Sequence, residues 1–197
     1  MGSQGISLVA GLGNPGQNYA DTRHNAGFRF LDALLERFQG SLKHETRFQG
    51  ETGRITIAGR GVWLLKPMTF MNLSGDSVGR FAHYYKIPAE NILVAHDELD
   101  LPPGAVRLKL GGGHAGHNGL RDIIPKLGSR DFVRLRIGIG RPGSSAQVTS
   151  YVLKKAPPAE QRLTDAAIAA ACEQMDNIVH GEYELAMNAL HTHTISE

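Results

Sequence analysis

The chain has 197 residues, of which 41% are hydrophobic and 20% charged, and its formal net charge is +2. This length fits a single domain over residues 1–197 with a sizeable core, and the composition excludes a disordered or fibrous chain. A single cysteine, Cys172, excludes an intrachain disulfide and a multi-cysteine zinc site, and no apolar run is long enough to span a bilayer.

The first predicted element is a buried strand over residues 6–10, and the N-terminal sequence lacks the basic-then-apolar order of a secretory signal. We therefore expect a cytoplasmic protein. A long glycine-rich connection over residues 11–27 follows, and apolar residues at helical spacing come after it. This connection is either a plain glycine–proline turn or a site, because it carries groups that donate, accept or transfer protons: Asn14, Tyr19, His24 and Asn25.

Residues 54–57 and 62–65 predict a β-hairpin, and Pro67 ends its second strand. A helix follows, for which Asn72 or Ser74 is the expected N-cap. Phe70, Met71 and Asn72 therefore lie between a strand and a helix. If this strand is parallel to the first, they share its rim with the first connection. The aromatic ring is expected either to pack in the loop or to cover a bound base or peptide.

Residues 92–95 predict a buried strand that ends at an acidic and imidazole cluster, residues 96–100. A carboxylate at this position, such as Asp97, can orient a histidine that comes from another loop. After a proline turn and a strand over residues 106–110, a glycine-dense loop carries His114, His117 and Asn118 into a helix. This loop lacks the lysine and hydroxyl of a nucleotide-binding P-loop, so it is expected to be a wall that a substrate approaches closely.

Basic residues concentrate in residues 107–155, which carry ten Lys or Arg against two acids. In the alternating strand over residues 132–139, Arg134 and Arg136 share one face, and Arg107 and Lys109 belong to a neighbouring strand. These four residues are candidate phosphate contacts, and nucleic acid is the expected partner, although a solvated basic face is the alternative. Residues 140–150 predict a flexible flap, and the last forty residues predict two helices, 163–175 and 178–190.

The candidate groups favour a metal-free ester hydrolase, in which a histidine activates water and asparagine amides stabilise the oxyanion. No Gly-x-Ser-x-Gly motif is present, and Cys172 is expected in the core. Three alternatives remain: a non-catalytic RNA-binding module, a dinucleotide site whose glycine spacing is wrong, and a metal site. The metal site would draw on groups that match no ligand motif: His24, His96, His114, His117, Asp97 and Asp100.

Several motifs together resemble the bacterial peptidyl-tRNA hydrolase family over nearly the whole chain. They are Gly11-Leu-Gly-Asn-Pro-Gly with Tyr19, Thr22-Arg-His-Asn-Ala-Gly, Met68-Thr-Phe-Met-Asn-Leu-Ser-Gly, His96-Asp-Glu-Leu-Asp, Gly111-Gly-Gly-His with Gly116-His-Asn-Gly, and Arg134-Leu-Arg-Ile-Gly-Ile-Gly-Arg-Pro-Gly. One departure is Ala115, where glycine is usual; it costs little unless the position needs a positive φ.

The resemblance implies a single α/β domain, with a twisted, mostly parallel mixed β-sheet flanked by α-helices and with C-terminal helices. It implies a monomer that hydrolyses the ester between a peptide and the terminal ribose of tRNA, without a cofactor or metal. His24 would be the general base and Asp97 its partner, with Asn14, Asn72 and Asn118 holding substrate and oxyanion. The remaining implied roles are the peptide and adenosine cleft (Tyr19, Phe70, Met71, Asn72, His117, Asn118) and the tRNA phosphate contacts (Lys109, Arg136, Arg107, Arg134).

Overall fold

The computed structural model describes residues 4–192. Its strands are β1 (Leu8–Gly11), β2 (Lys43–Glu45), β3 (Gly50–Ile57), β4 (Arg60–Pro67), β5 (Ile92–Glu98), β6 (Val106–Leu110) and β7 (Val133–Gly138). Its helices are α1 (Ala26–Arg37), α2 (Ser74–Tyr84), α3 (Asn118–Leu127), α4 (Val148–Val152), α5 (Pro158–Glu173), α6 (Met175–Val179) and α7 (Tyr183–His191). No helix among these residues is long and apolar enough to cross a membrane.

The seven strands form one mixed sheet in the order β2-β3-β4-β1-β5-β7-β6. The four central strands, β4, β1, β5 and β7, run parallel, whereas β2, β3 and β6 add antiparallel pairs at the two edges. The α/β class and the mixed sheet are therefore confirmed, and the parallel part is its centre. Parallel central strands place their carboxyl ends on one rim, where α/β proteins bind ligands.

Both faces of the sheet are covered, because side chains alternate along each strand. In β1, Val9 packs into a core formed with α1 and the C-terminal helices, whereas Leu8 and Ala10 pack into a second core beneath α2 and α3. Cys172 lies buried in the first core, as predicted. The central strands are thus held rigidly between two helical layers, and their carboxyl ends have fixed positions.

Four local predictions are corrected. Strand β5 continues through Glu98 instead of ending at residue 95. Neither Asn72 nor Ser74 caps α2; a 3-10 turn precedes the helix, and the Ser74 hydroxyl donates to the Met71 carbonyl oxygen. The segment over residues 140–150 is partly helical, because a 3-10 turn at Ser145–Gln147 leads into α4. The second C-terminal helix is split into α6 and α7 around Gly181, whose φ is +77°.

Candidate active site

A cleft of about 230 Å³ opens at the carboxyl ends of β1 and β5. The connections after β1 and β4 line it, together with the loop before α3 and helix α4. Gly27 allows the backbone after the first connection to lie close against β5, because a Cβ atom at this position would lie only 2.4 Å from the Ala95 carbonyl oxygen. The start of α1 therefore crosses directly over the end of β5, and His24 lies just before that crossing.

His24 and Asp97 meet at this crossing. The His24 Nδ1 atom lies 2.9 Å from Asp97 Oδ2, and both side chains are buried, with Asp97 only 3% exposed. The sequence-based pairing of a loop histidine with a carboxylate at the end of β5 is therefore correct in geometry. This arrangement orients the imidazole as the aspartate of a catalytic triad does.

His117 makes a second contact with the same carboxylate. Its Nε2 atom lies 2.8 Å from Asp97 Oδ1, and its Nδ1 atom accepts the backbone N–H of Gly119 at the start of α3. Because Nδ1 accepts a hydrogen bond from this N–H group, it carries no proton itself. The ring is therefore neutral, and its Nε2–H group donates a hydrogen bond to Asp97. The sequence placed His117 in the substrate cleft but missed its two roles as helix N-cap and partner of Asp97.

The tautomer of His24 follows from its partner. Asp97 is an acceptor, so His24 donates Nδ1–H and keeps the lone pair of Nε2, for which no described residue is a hydrogen-bond partner. Burial lowers the pKa of His24, but the charge of Asp97 and its hydrogen bond outweigh burial and raise that pKa above 6.5. A raised pKa makes this ring a stronger base for a proton in the cleft.

Asp97 remains ionised although it is buried. Burial raises its pKa, but the two imidazole N–H groups that His24 and His117 direct at the carboxylate outweigh burial, so that the pKa lies well below its usual 3.8. A carboxylate with two N–H donors in an apolar strand end is stable only as the anion. A negative charge at this distance from His24 favours the protonated form of that ring.

Asn14 is fixed by backbone contacts on both sides of the cleft rim. Its Oδ1 atom accepts the N–H of Met71 at 2.7 Å, and its own N–H donates to Asn25 Oδ1 at 2.8 Å. Since the amide oxygen is occupied, the Nδ2 group is left as the donor available to a ligand. Asn25 is thus a positioning residue, a role that its place in the connection did not reveal.

The other predicted substrate contacts lie around the mouth of the cleft. Phe70 is 56% exposed and meets the ring of Tyr19 edge to face at 6.2 Å, whereas Met71 is buried. Asn72 is exposed at the rim, and Asn118 is the exposed first residue of α3. The structure therefore brings predicted groups from three connections to one opening, beside Asp97 at the end of β5.

The predicted basic residues do share one sheet face, since Arg107 pairs with Arg136 and Lys109 with Arg134 across β6 and β7. They differ in accessibility. Lys109 is exposed, and Arg136 is partly exposed and paired with Glu98 at 2.7 Å. The partly buried Arg107 donates to the Leu190 carbonyl oxygen at 3.1 Å.

Arg134 is buried, with 2% of its surface exposed. Its guanidinium stacks on Phe132 and donates to the carbonyl oxygens of Gly112, Gly113 and Arg130. Burial and the proximity of other arginines lower its pKa to about 10, which still leaves it charged. A guanidinium committed to the glycine-rich loop is not on the surface, so this position does not offer the direct phosphate contact expected from the sequence.

The metal alternative reduces to three groups. Ligand atoms of His24, Asp97 and His117 lie within 4.8 Å of one another, which is a possible cation cluster. However, Nε2 of His117 carries a proton toward Asp97, and the two ring nitrogens facing the carboxylate are at hydrogen-bond distances. Asp100 instead pairs with Arg141, and His114 accepts the N–H of Gly116 in the loop. The donor set thus fits a hydrogen-bonded array better than a metal site.

His96 was considered only as a metal ligand, but it lies on the opposite face of β5 from Asp97, fully buried. Its Nδ1 atom bonds the Asp97 carbonyl oxygen at 2.8 Å, and its Nε2 atom has no partner among the described residues. Burial is the largest cause that lowers its pKa to about 3, so the ring is neutral. Because β5 extends through residue 98, strand alternation separates neighbours that the sequence grouped together.

This buried ring should make the protein sensitive to acid. The unfolded chain binds a proton at His96 below pH 6.5 and the folded chain does not, so stability falls as the pH drops toward 3. Between pH 7 and pH 5 this group alone should lower the free energy of unfolding by roughly 2 kcal/mol. The variant His96→Asn has no titrating ring but can keep the bond to the Asp97 carbonyl oxygen. We therefore expect its free energy of unfolding to fall by roughly 2 kcal/mol less than that of wild type between pH 7 and pH 5.

Urea unfolding at the two pH values measures this effect. His44→Asn, on the exposed edge strand β2, is the matched control and should keep the wild-type pH difference. An identical pH difference in wild type and His96→Asn would contradict a neutral buried imidazole at this position.

The family model of peptidyl-tRNA hydrolase matches residues 8–197. Peptidyl-tRNA hydrolases of Tolumonas auensis and Halorhodospira halophila are 55% and 53% identical over 96% and 93% of this chain, covering 97% and 95% of those proteins. A crystal structure of peptidyl-tRNA hydrolase from Acinetobacter baumannii is similar at a TM-score of 0.95, with 52% identity and 98% of each chain covered.

Proposed function

Because the chain belongs to the peptidyl-tRNA hydrolase family, we propose that His24 is the general base that activates water for hydrolysis of peptidyl-tRNA. Its activity is that of a peptidyl-tRNA hydrolase, which cleaves the ester between the peptide and the terminal ribose and frees the tRNA for recycling. This activity replaces the alternative of a non-catalytic RNA-binding module. One observation carries the assignment of the base: Asp97 holds His24 with Nε2 unpaired in the cleft.

The proposed reaction is direct attack by water. His24 Nε2 removes a proton from water as the oxygen attacks the ester carbonyl, and Asp97 stabilises the resulting imidazolium. The tetrahedral intermediate then collapses, the bond to the ribose oxygen breaks, and the imidazolium returns its proton to that oxygen. The products are a peptide acid and a tRNA with a free terminal hydroxyl, and His24 is again neutral.

The oxyanion in this scheme needs donors that are already in place. The Nδ2 group of Asn14 supplies one, since its oxygen is held by Met71 and the group cannot rotate freely. Asn72 and Asn118, at the rim, are proposed to bind the peptide carbonyl side and to place substrate or water. Preorganised donors of this kind add most to the rate, because they need no rearrangement as charge develops.

The substrate is proposed to lie between two surfaces. Tyr19, Phe70 and Met71 offer an apolar and aromatic wall for the peptide and the terminal adenosine, with His117 at the base of the cleft. Lys109 and Arg136 are proposed as the contacts to a tRNA phosphate, and Arg107 adds to the positive field. Arg134 does not contact the tRNA in this proposal; it holds the glycine-rich loop that ends at His117.

Peptide release from N-acetyl-aminoacyl-tRNA tests this mechanism when it is measured with and without excess chelator. We expect equal rates, because the proton transfers and the oxyanion contacts involve only side chains and water. Loss of activity on chelation, restored by an added divalent ion, would instead indicate that His24, Asp97 and His117 bind a catalytic metal ion. Size-exclusion chromatography in the same buffer tests the further proposal that the enzyme is a monomer of one domain.

A further inference from the structure

Arg136 faces an acid inside the basic surface that it helps to form. Its Nε and Nη2 atoms both lie 2.7 Å from Glu98 Oε1, across the paired strands β5 and β7. The Glu98 side chain is 11% exposed and that of Arg136 24% exposed, so the pair is only partly screened by solvent. The strongest candidate for a phosphate contact is therefore already neutralised by a neighbour.

Glu98 also occupies an unusual place between two cavities. It lines the catalytic cleft next to Asp97, and it also lines a second cavity of about 120 Å³. The second cavity, called the basic cavity below, is otherwise lined mainly by positive and imidazole groups, including His96, Lys109, Arg134 and Arg136. A phosphate that reaches Arg136 in this cavity thus comes close to the Glu98 carboxylate.

We propose that Glu98 weakens the contact of Arg136 with the tRNA phosphate, so that the tRNA product leaves after hydrolysis. This inference rests on the proposed phosphate role of Arg136 and Lys109. Glu98 occupies the Nε side of the guanidinium and leaves Nη1 as the donor for a ligand. A phosphate that binds Arg136 therefore meets a guanidinium whose positive charge is already offset by Glu98. The Glu98 carboxylate also repels the phosphate directly.

The other cation of the site has no such restraint. Lys109 is exposed on β6, and no acidic residue among residues 4–192 forms an ion pair with it. Asp100, the other acid of the basic cavity, is paired with Arg141, which lies outside the cavity lining. No carboxylate therefore offsets the attraction of Lys109 for a phosphate, whereas Glu98 reduces the attraction of Arg136.

The test is the affinity for deacylated tRNA of Glu98→Gln. Glutamine keeps an oxygen that can accept the Arg136 Nε–H, so the variant removes charge while preserving the bond. Removing one charge near a phosphate in a partly screened site should tighten binding about five-fold. The guanidinium, whose charge is then no longer offset by a carboxylate, should also steepen the dependence of log K on log salt by up to about one phosphate contact.

Matched variants separate the outcomes. Glu90→Gln, exposed just before β5, makes the same change of charge at the amino end of the sheet and should alter affinity less than two-fold. Product inhibition by tRNA should strengthen in Glu98→Gln by the same factor as binding. Unchanged or weaker binding by Glu98→Gln would overturn the proposal, because a merely structural Glu98 predicts no gain.

Three further variants keep the test decisive. Melting curves establish that Glu98→Gln is folded; if it is not, Glu98→Met removes the same charge and should also tighten binding. Lys109→Gln should weaken binding and flatten its salt dependence. If Lys109→Gln and Arg136→Gln both leave binding unchanged, the phosphate site itself is wrong. If they weaken binding while Glu98→Gln gives no gain, only the role of Glu98 fails.

Discussion

His24→Asn should lower the rate of peptide release at saturating substrate by roughly a thousand-fold, within the range that general-base catalysis supplies. The asparagine amide can take the place of Nδ1–H and continue to donate to Asp97. What disappears is the Nε2 lone pair that we propose as the acceptor of the proton from water. The loss should therefore lie in kcat, with the KM for peptidyl-tRNA changing little, since no phosphate or peptide contact is removed.

A comparison with His24→Ala separates chemistry from stability. Both variants lack the base and should be equally slow, but alanine also removes a donor from the buried Asp97 carboxylate. A buried charge that loses a partner costs about 1–3 kcal/mol, so only the alanine variant should melt at a clearly lower temperature. His44→Ala, on the exposed edge strand, is the control and should match wild type in rate. Full activity in either His24 variant would refute its role as base.

The meeting of His24 and Asp97 could be anticipated because both lie where a buried strand gives way to a polar segment. Parallel strands put such segments on one rim, and the structure has β1 and β5 adjacent and parallel. The same reasoning led to Asn14 and Asn72. Local pattern thus identified which residues reach the cleft, because only strand order and direction were needed.

The hydrogen-bond partners inside the site could not be read from the sequence. His117 looked like a wall residue, yet its ring links the start of α3 to Asp97, a contact that depends on the packing of two distant segments. Arg134 looked like a surface cation because it alternates with apolar residues, although alternation says only which face a side chain takes. The glycine-rich loop that covers this face is what buries it.

Ala115 is a smaller case of the same kind. Its φ is +48°, in the left-handed region that glycine adopts at little cost, so the one departure from the family motif does fall at a strained position. Neither pattern nor composition reports a backbone angle. The loop keeps its form because contacts on either side, from Arg134 to Gly113 and from Asp97 to His117, fix both ends around this residue.

Asp97→Asn should be at least as damaging as loss of His24, lowering kcat by roughly 10³- to 10⁴-fold. The proposed mechanism needs neutral His24, so the activity should rise with pH through the pKa of that ring. Because the Asp97 charge and hydrogen bond are what raise this pKa, the midpoint of the pH profile should move downward in the variant. Asp100→Asn, an exposed acid three residues along, should keep the wild-type midpoint.

The reason for so large a loss lies in how an amide must sit between two rings. His117 cannot change its tautomer, because Nδ1 accepts the N–H of Gly119, so the asparagine oxygen must face His117 Nε2–H. The amide NH₂ then faces His24 Nδ1, which can accept it only by moving the ring proton to Nε2. That is the tautomer without a lone pair in the cleft. Nitrogen-15 NMR of the two rings reads this directly: a protonated Nε2 on His24 in Asp97→Asn is expected, and an unchanged tautomer with the same loss of rate would mean that Asp97 acts through its charge alone.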